Sequence, residues 1–151
     1  MELKFRVAAH IDRPVAEVFE AVVNPTELSR YFTTGGAEGR IETGATGSWD
    51  FADYPGRFPV KVVEVVPEQR IVLQWAADDA DAPAPYDTTV TMTFAALDDG
   101  RTLVEISESG WPETPSGLRA SYGNNGGWMQ MLCALKAWLE HGINLREGMF
   151  R

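Results

Sequence analysis

Apolar and polar positions alternate at the start of the chain: Leu3, Phe5, Val7, Ala9 and Ile11 fall on one side, Lys4, Arg6, Ala8 and His10 on the other. Period two predicts a half-buried strand. Asp12-Arg13-Pro14 stops it, with Asp12 a candidate N-cap and Pro14 suited to a first helical turn. Val15, Val18, Phe19 and Val22 then recur at i, i+3, i+4 and i+7, the spacing of an amphipathic helix. Asn24-Pro25 ends that helix, because the residue before proline avoids the helical region. A second short helix is predicted to carry Leu28, Tyr31 and Phe32.

From Gly35 to Trp111 the pattern is mainly strand, punctuated by Gly35-Gly36, Gly39, Gly44 and Gly47. Trp49 and Phe51 share a face. Val60–Val66 (VKVVEVV) is β-branched and bounded by Pro59 and Pro67. Glu68-Gln69 turns the chain, and Ile71, Leu73 and Trp75 alternate with Val72, Gln74 and Ala76. Ala77–Pro85 (ADDADAPAP) reads as a solvated connector. Val90, Met92 and Phe94 alternate with threonines, Asp98-Asp99-Gly100 is a hairpin signal, and Val104, Ile106 and Glu108 share one face of the next strand.

After Pro112–Gly117 one long helix is expected, from Leu118 to near Arg146. Trp128, Leu132, Leu135, Leu139 and Ile143 form a continuous stripe, extended on one side by Met131, Trp138 and Leu145. At ~100° per residue the apolar arc is about 160° wide, more than a core-facing helix needs. Its central stretch, GWMQMLCALKAWLE, does not span a bilayer: a spanning helix takes roughly 20 mostly apolar residues, and Gln130, Lys136, Glu140 and His141 interrupt this run. Gly123-Asn124-Asn125-Gly126-Gly127 predicts a kink or a helix restart, from which Asn125 would offer polar contacts to a cavity mouth.

Strand, two short helices, a run of strands and a long helix define an α+β fold. Tight turns make the sheet antiparallel and curved, of about six or seven strands wrapped around the C-terminal helix. One helix, about 40 Å long, cannot fill every gap over a curved sheet. A cavity between the two is the geometric expectation, and such a space suits an apolar ligand.

Charge narrows the partners. A net charge of −9 over 151 residues argues against nucleic acid, which draws on clustered Lys and Arg, and against an anionic membrane surface. The single cysteine, Cys133, excludes an intramolecular disulfide. No signal-like segment opens the chain, so a reduced, cytoplasmic home is expected. The length and the lack of repeats or linkers suggest one domain over 1–151.

The order of elements, together with IDRPVAEVFEAVVNPTELSRYF (Ile11–Phe32), VVEVVPEQRIVLQW (Val62–Trp75), VEISESGWP (Val104–Pro112) and GWMQMLCALKAWLE (Gly127–Glu140), resembles the START-like, helix-grip (SRPBCC) superfamily. More narrowly, it resembles the activator of heat-shock-protein-90 ATPase homologue family. The resemblance implies the fold more sharply than the function, since its members include co-chaperone domains and polyketide-cyclase-like proteins, and it implies no invariant catalytic set.

Nucleophile, metal and phosphate signatures are not supported. Cys133 and His141 lie eight residues apart on one helix, about 12 Å along its axis and beyond the reach of a Cys–His pair. Cys133 reads as a small buried thiol, and His10 faces outward. No His/Cys cluster, HExxH spacing or EF-hand loop is present, and no GKS/T follows the glycine-rich segment, so neither a metal nor a cofactor is expected. Glu108 is the acid to watch. By alternation it faces the helix, and the resemblance places it in a recurring E-S-G-aromatic motif at the end of the last strand. There it would orient a ligand or hold a proton; otherwise it is a structural acid bonded to backbone amides or an arginine.

The candidate cavity residues are Trp49, Phe51, Trp75, Met92, Phe94, Glu108, Trp111, Trp128 and Leu132, with Gln74 as a further polar contact. The first functional expectation is a monomeric or weakly dimeric binder of a hydrophobic or aromatic small molecule, without chemistry. The alternatives are a cyclase or dehydratase with Glu108 as acid or base, and a co-chaperone adaptor of the heat-shock-protein-90 ATPase. An exposed Trp138 would mark an oligomer contact.

Overall fold

The computed structural model describes residues 1–54 and 56–151 with their side chains, and residue 55 by its backbone. Strand β1 (Leu3–Ile11) is followed by helices α1 (Val15–Val23) and α2 (Pro25–Leu28). Then come β2 (Gly36–Glu38), β3 (Thr46–Phe51), β4 (Tyr54–Val66), β5 (Arg70–Ala76), β6 (Asp87–Ala96), β7 (Thr102–Trp111) and the long helix α3 (Pro115–His141). The strands form one antiparallel sheet in the order β1-β7-β6-β5-β4-β3-β2. This is the expected α+β arrangement, with β1 carried to the far edge to pair with β7.

Alternation predicted most inward faces, and two bulges changed its phase. Between Val62 and Glu64 the β4–β5 register slips, leaving Val63 exposed and both Val62 and Val65 packed inward. At the end of β7, Gly110 adopts φ 118°, and the β1–β7 register slips between Leu3 and Lys4. Trp111 is thereby turned to the inner face and stacks on Phe5 at 5.6 Å.

Helix α1 has Pro14, in extended conformation, at its N-cap position rather than in its first turn, and no side chain caps it; Asp12 does not serve as a cap, and its backbone N–H donates to the Glu140 carboxylate on α3. Asn24 ends α1 and caps α2 through the Thr26 N–H. Phe19 on α1 packs edge-on against Phe94 at 5.3 Å, and the Tyr31 hydroxyl donates to the Ala21 carbonyl. Helix α1 thus packs over β6, and α2 lies beside β2.

Helix α3 differs from expectation in its ends, its continuity and the setting of Cys133. It begins at Pro115, capped by the Thr114 hydroxyl on the Gly117 N–H, and it stops at Gly142, which takes the left-handed conformation. Ile143 and Leu145 therefore lie beyond the helix and are exposed. It runs unbroken through Gly123–Gly127, where a kink was expected. Cys133 is exposed rather than buried, whereas Met131 is buried and Trp138 and Leu139 pack partly onto the core, so Trp138 offers no free oligomer contact. The C-terminal half is fastened to β1, where the Lys136 ammonium donates to the His10 carbonyl.

The N-terminal end of α3 is set by a close approach. A Cβ added at Gly117 would lie 2.1 Å from the Pro112 carbonyl oxygen. Gly117→Ala is expected to shift this end and lower stability by about 1–3 kcal/mol, measured by urea denaturation. Unchanged stability would show that the segment before α3 moves freely.

Candidate functional site

Because α3 packs directly on β1 and β7, a space opens on the other side of its N-terminal half, toward β3, β4 and β5. This cavity has a volume of about 450 Å³. Its inner wall is aromatic: Phe32, Phe51, Phe58, Trp75 and Trp128, with Tyr54 nearer the mouth. Trp75 and Trp128 lie 5.4 Å apart, and Phe32 and Phe51 meet edge-on at 5.0 Å.

The roof is α3, where Gly123 and Gly127 line the space. A Cβ at Gly123, Gly126 or Gly127 would meet nothing within 4 Å. No close contact therefore demands these glycines, and each weakens a helix interior by about 1 kcal/mol relative to alanine. What two of them do is leave the roof bare.

One charged group ties wall and roof together. Glu108 is 1% exposed, and its carboxylate is bound by side-chain donors from three elements. The Trp75 indole N–H on β5 and the Thr88 hydroxyl on β6 donate to Oε2 at 3.1 and 2.5 Å. The Trp128 indole N–H donates to Oε1 at 2.7 Å, and the Asn124 amide donates to both oxygens at 3.1 and 3.0 Å. Asn124 and Trp128 are four residues apart on α3 and so reach the same group. A buried charge without such partners would be very costly; hydrogen bonds to charged groups contribute about 1.5–3 kcal/mol each. Glu108 lies behind the wall, facing donors rather than the open space, and among the described residues it is bonded to neither arginine nor backbone amide.

At the other end of the cavity Arg146 extends from the segment after α3. Its guanidinium holds Asp53 bidentately at 2.9 and 2.8 Å, donates to the Gln130 carbonyl oxygen at 3.0 Å and lies 4.7 Å over the Phe51 ring. These hydrogen bonds hold the Asp53 carboxyl below its usual range, against the opposing effect of burial.

The mouth is polar and is formed by the β5–β6 connector. Asp78, Asp79 and Asp81 line it together with Ser116 and Arg119 of α3. Tyr54 donates to Asp78 and Tyr86 to Asp79, each at 2.7 Å, and Arg119 bridges to Asp81 at 2.9 Å. The tyrosine partner and the Ser116 hydroxyl lower the Asp79 carboxyl, while burial and Asp79 itself push the Tyr86 hydroxyl up. The connector read as plain solvated loop is thus one rim of the cavity.

Of the cavity residues expected from the sequence, Phe51, Trp75 and Trp128 line this space. Trp49 is buried behind them, edge-on to Trp75 at 5.7 Å. Met92, Phe94 and Leu132 lie in the core under α1 and α3, and Trp111 lies against Phe5, all outside the lining. Gln74 faces the opposite side of the sheet near Thr89. The polar α3 residue at the cavity is Asn124 rather than Asn125. Phe32, Tyr54, Phe58, Arg119 and Arg146 were not anticipated; the i, i+4 spacing of Tyr54 and Phe58 on one strand face was the available signal. Among the described residues no group of His, Cys, Asp and Glu is placed to hold a metal, and no helix is long and apolar enough to cross a membrane.

A curved antiparallel sheet gripping one long helix, with an aromatic cavity between them, defines the START-like, helix-grip class. Residues 12–140 match the family model described as activator of Hsp90 ATPase homolog 1-like protein. The chain belongs to that family. Among solved structures it is similar to the protein SSP2350 from Staphylococcus saprophyticus, at 24% identity over 95% of this chain and 96% of that one, with TM-score 0.77. It is similar to the Aha1 dimer from Colwellia psychrerythraea, at 21% identity over 92% and 97% of the two chains, with TM-score 0.75. It also matches DynU16, a protein of the dynemicin biosynthetic locus, at 24% identity over 95% of this chain but 49% of that one, with TM-score 0.77. The chain thus spans about half of DynU16. At these identities the likenesses establish the fold alone. No curated protein matches the chain.

Proposed function

We propose that this chain is a single-domain cytoplasmic binder of a hydrophobic or aromatic small molecule, held between the sheet and α3 without chemistry. The observation that carries this reading is the aromatic cavity of about 450 Å³ beneath a glycine-bare stretch of helix. Aromatic walls supply affinity by burying flat apolar surface, and the polar mouth supplies orientation. The occurrence of the same fold in a protein of a biosynthetic locus agrees with a small-molecule ligand.

The enzyme alternative needs Glu108 free to exchange a proton with a ligand. Its oxygens are occupied by four side-chain donors and it does not line the cavity, which favours an architectural role. Family membership supports one second reading, a co-chaperone adaptor of the Hsp90 ATPase. Stimulation of that ATPase by the chain, undiminished when the cavity is blocked, would favour it. Under either reading a monomer or a weak homodimer is expected.

The test is a thermal-shift and tryptophan-fluorescence titration with flavonoids, fatty acids, sterols and polyketide-like aromatics, on the parent and on Gly127→Leu. A ligand specific for the native state raises the melting temperature by mass action. Gly127→Leu is expected to abolish binding while leaving stability unchanged or raised by about 1 kcal/mol, because leucine is the better helix former. A panel without a saturable hit, or binding that survives Gly127→Leu, would count against the cavity as the site.

A further inference from the structure

The charged groups around the cavity are unevenly matched. Arg119 is paired with Asp81, and Arg146 is held bidentately by Asp53. Both cations that line the space therefore already have carboxylate partners. Asp78 and Asp79 enter no ion pair of their own among the described residues: Asp78 accepts from the Tyr54 hydroxyl, and Asp79 accepts from the Tyr86 and Ser116 hydroxyls, with Arg119, already paired to Asp81, the nearby cation. A carboxylate offers about four acceptor positions, so each keeps capacity for a further donor. A third acid, Glu108, lies immediately behind Trp75 and Trp128 and enters no ion pair among the described residues.

Two features of the space therefore converge. Its wall presents ring faces, whose quadrupoles attract a cation within about 6 Å. Its mouth and the layer behind its wall carry carboxylates not matched by cations. An anionic ligand would find Arg146 already held bidentately by Asp53, and at Arg119 it would share the guanidinium with Asp81 while approaching the other acids of the mouth. A neutral ligand would use the wall and could donate hydrogen bonds to the mouth, but it would gain no charge attraction from these acids.

We infer that the ligand of this cavity is an aromatic or polycyclic amine, its flat body against Trp75, Trp128 and Phe58 and its ammonium at the mouth beside Asp78 and Asp79. The inference rests on the proposal that the cavity is a binding site and specifies the ligand class. The net charge of −9 would also favour the approach of a cation over an anion.

The test compares three probes of nearly one shape by isothermal titration calorimetry: naphthylethylamine, its neutral N-acetyl derivative, and naphthylpropionate. The amine is expected to bind about tenfold more tightly than either of the others at low salt, a preference that shrinks as salt is added. In the double variant Asp78→Asn/Asp79→Asn the preference should fall to within about twofold, with the affinity for the neutral probe unchanged. The asparagine carbonyl can still accept from each tyrosine, and an unchanged melting temperature checks that the variant is folded. If the neutral probe binds as tightly as the amine, if the propionate binds best, or if the double variant keeps the preference, the inference is overturned while the cavity stands as a binding site. If none of the three binds, the cavity proposal and the inference fall together.

Discussion

Glu108→Gln is expected to lower the unfolding free energy by about 2–3 kcal/mol. The two indoles fix the outcome. Trp75 donates to one carboxylate oxygen and Trp128 to the other, and an indole N–H can donate but not accept. Whichever way the glutamine amide is turned, its NH2 faces one of them. Thr88 can rotate its hydroxyl and Asn124 can flip its amide, but neither indole can adapt. One buried donor is therefore left without a partner, and a donor–donor contact replaces a charge-assisted bond. Combining Glu108→Gln with Trp75→Phe or Trp128→Phe should cost less than the sum of the single changes, because each phenylalanine removes one of the clashing donors. Urea denaturation of the double-mutant cycles measures this. Strict additivity, or a Gln variant as stable as the parent, would mean that the carboxylate does not join sheet to helix.

Arg146→Met is expected to cost about 2–3 kcal/mol, since removing one partner of a buried ion pair leaves the other charge uncompensated. The estimate sits below the range for fully buried pairs because both side chains keep 11% exposure. The pair also has a definite pH signature. Asp53 is held below the usual carboxylate range chiefly by the hydrogen bonds from Arg146, so the folded state binds its proton less readily than the unfolded state. The stability from this shift is fully present above the ordinary aspartate pKa and is lost as pH falls through the lower folded value. The stability gap between the parent and Asp53→Asn should thus be constant near neutrality and narrow on acidification below the ordinary aspartate range. A gap that stays constant or widens in acid would contradict the assigned pairing.

Much of the architecture was legible because it rests on period. The faces of β1, β5, β6 and most of β7, the α1 stripe and the Asp98-Asp99-Gly100 turn follow from spacing alone. Spacing cannot announce a bulge, so Val63 and Trp111 changed face without warning from the hydrophobic pattern. Nor does local propensity decide whether glycines break a helix. Asn124 and Trp128 flank Gly126 and Gly127 and are both bonded to Glu108, and this tertiary tie carries α3 straight through. Gly142 after His141 was a readable stop signal, but the apolar stripe extends past it to Ile143.

The site was less legible than the fold. Alternation rightly turned Glu108 inward, but it could not tell a wall residue from one behind the wall. That depends on where α3 lies across the sheet, and α3 lies over β1 and β7, which leaves the space beside β3–β5. Hence Phe51, Trp75 and Trp128 line the cavity, whereas Met92, Phe94 and Leu132 are covered. The acidic connector gave no periodic signal, and its role depends on partners distant in sequence, Tyr54 for Asp78 and Arg119 for Asp81.

The indole N–H signals of the five tryptophans test the cavity most directly, followed by NMR during titration with the neutral N-acetyl naphthylethylamine. The Trp75 and Trp128 signals are expected to move together and saturate. The Trp138 signal should stay in place, since ten residues along α3 put it about 15 Å from Trp128. Unmoved Trp75 and Trp128 signals at saturating probe, or equal movement at Trp138, would contradict a ligand site between the sheet and α3.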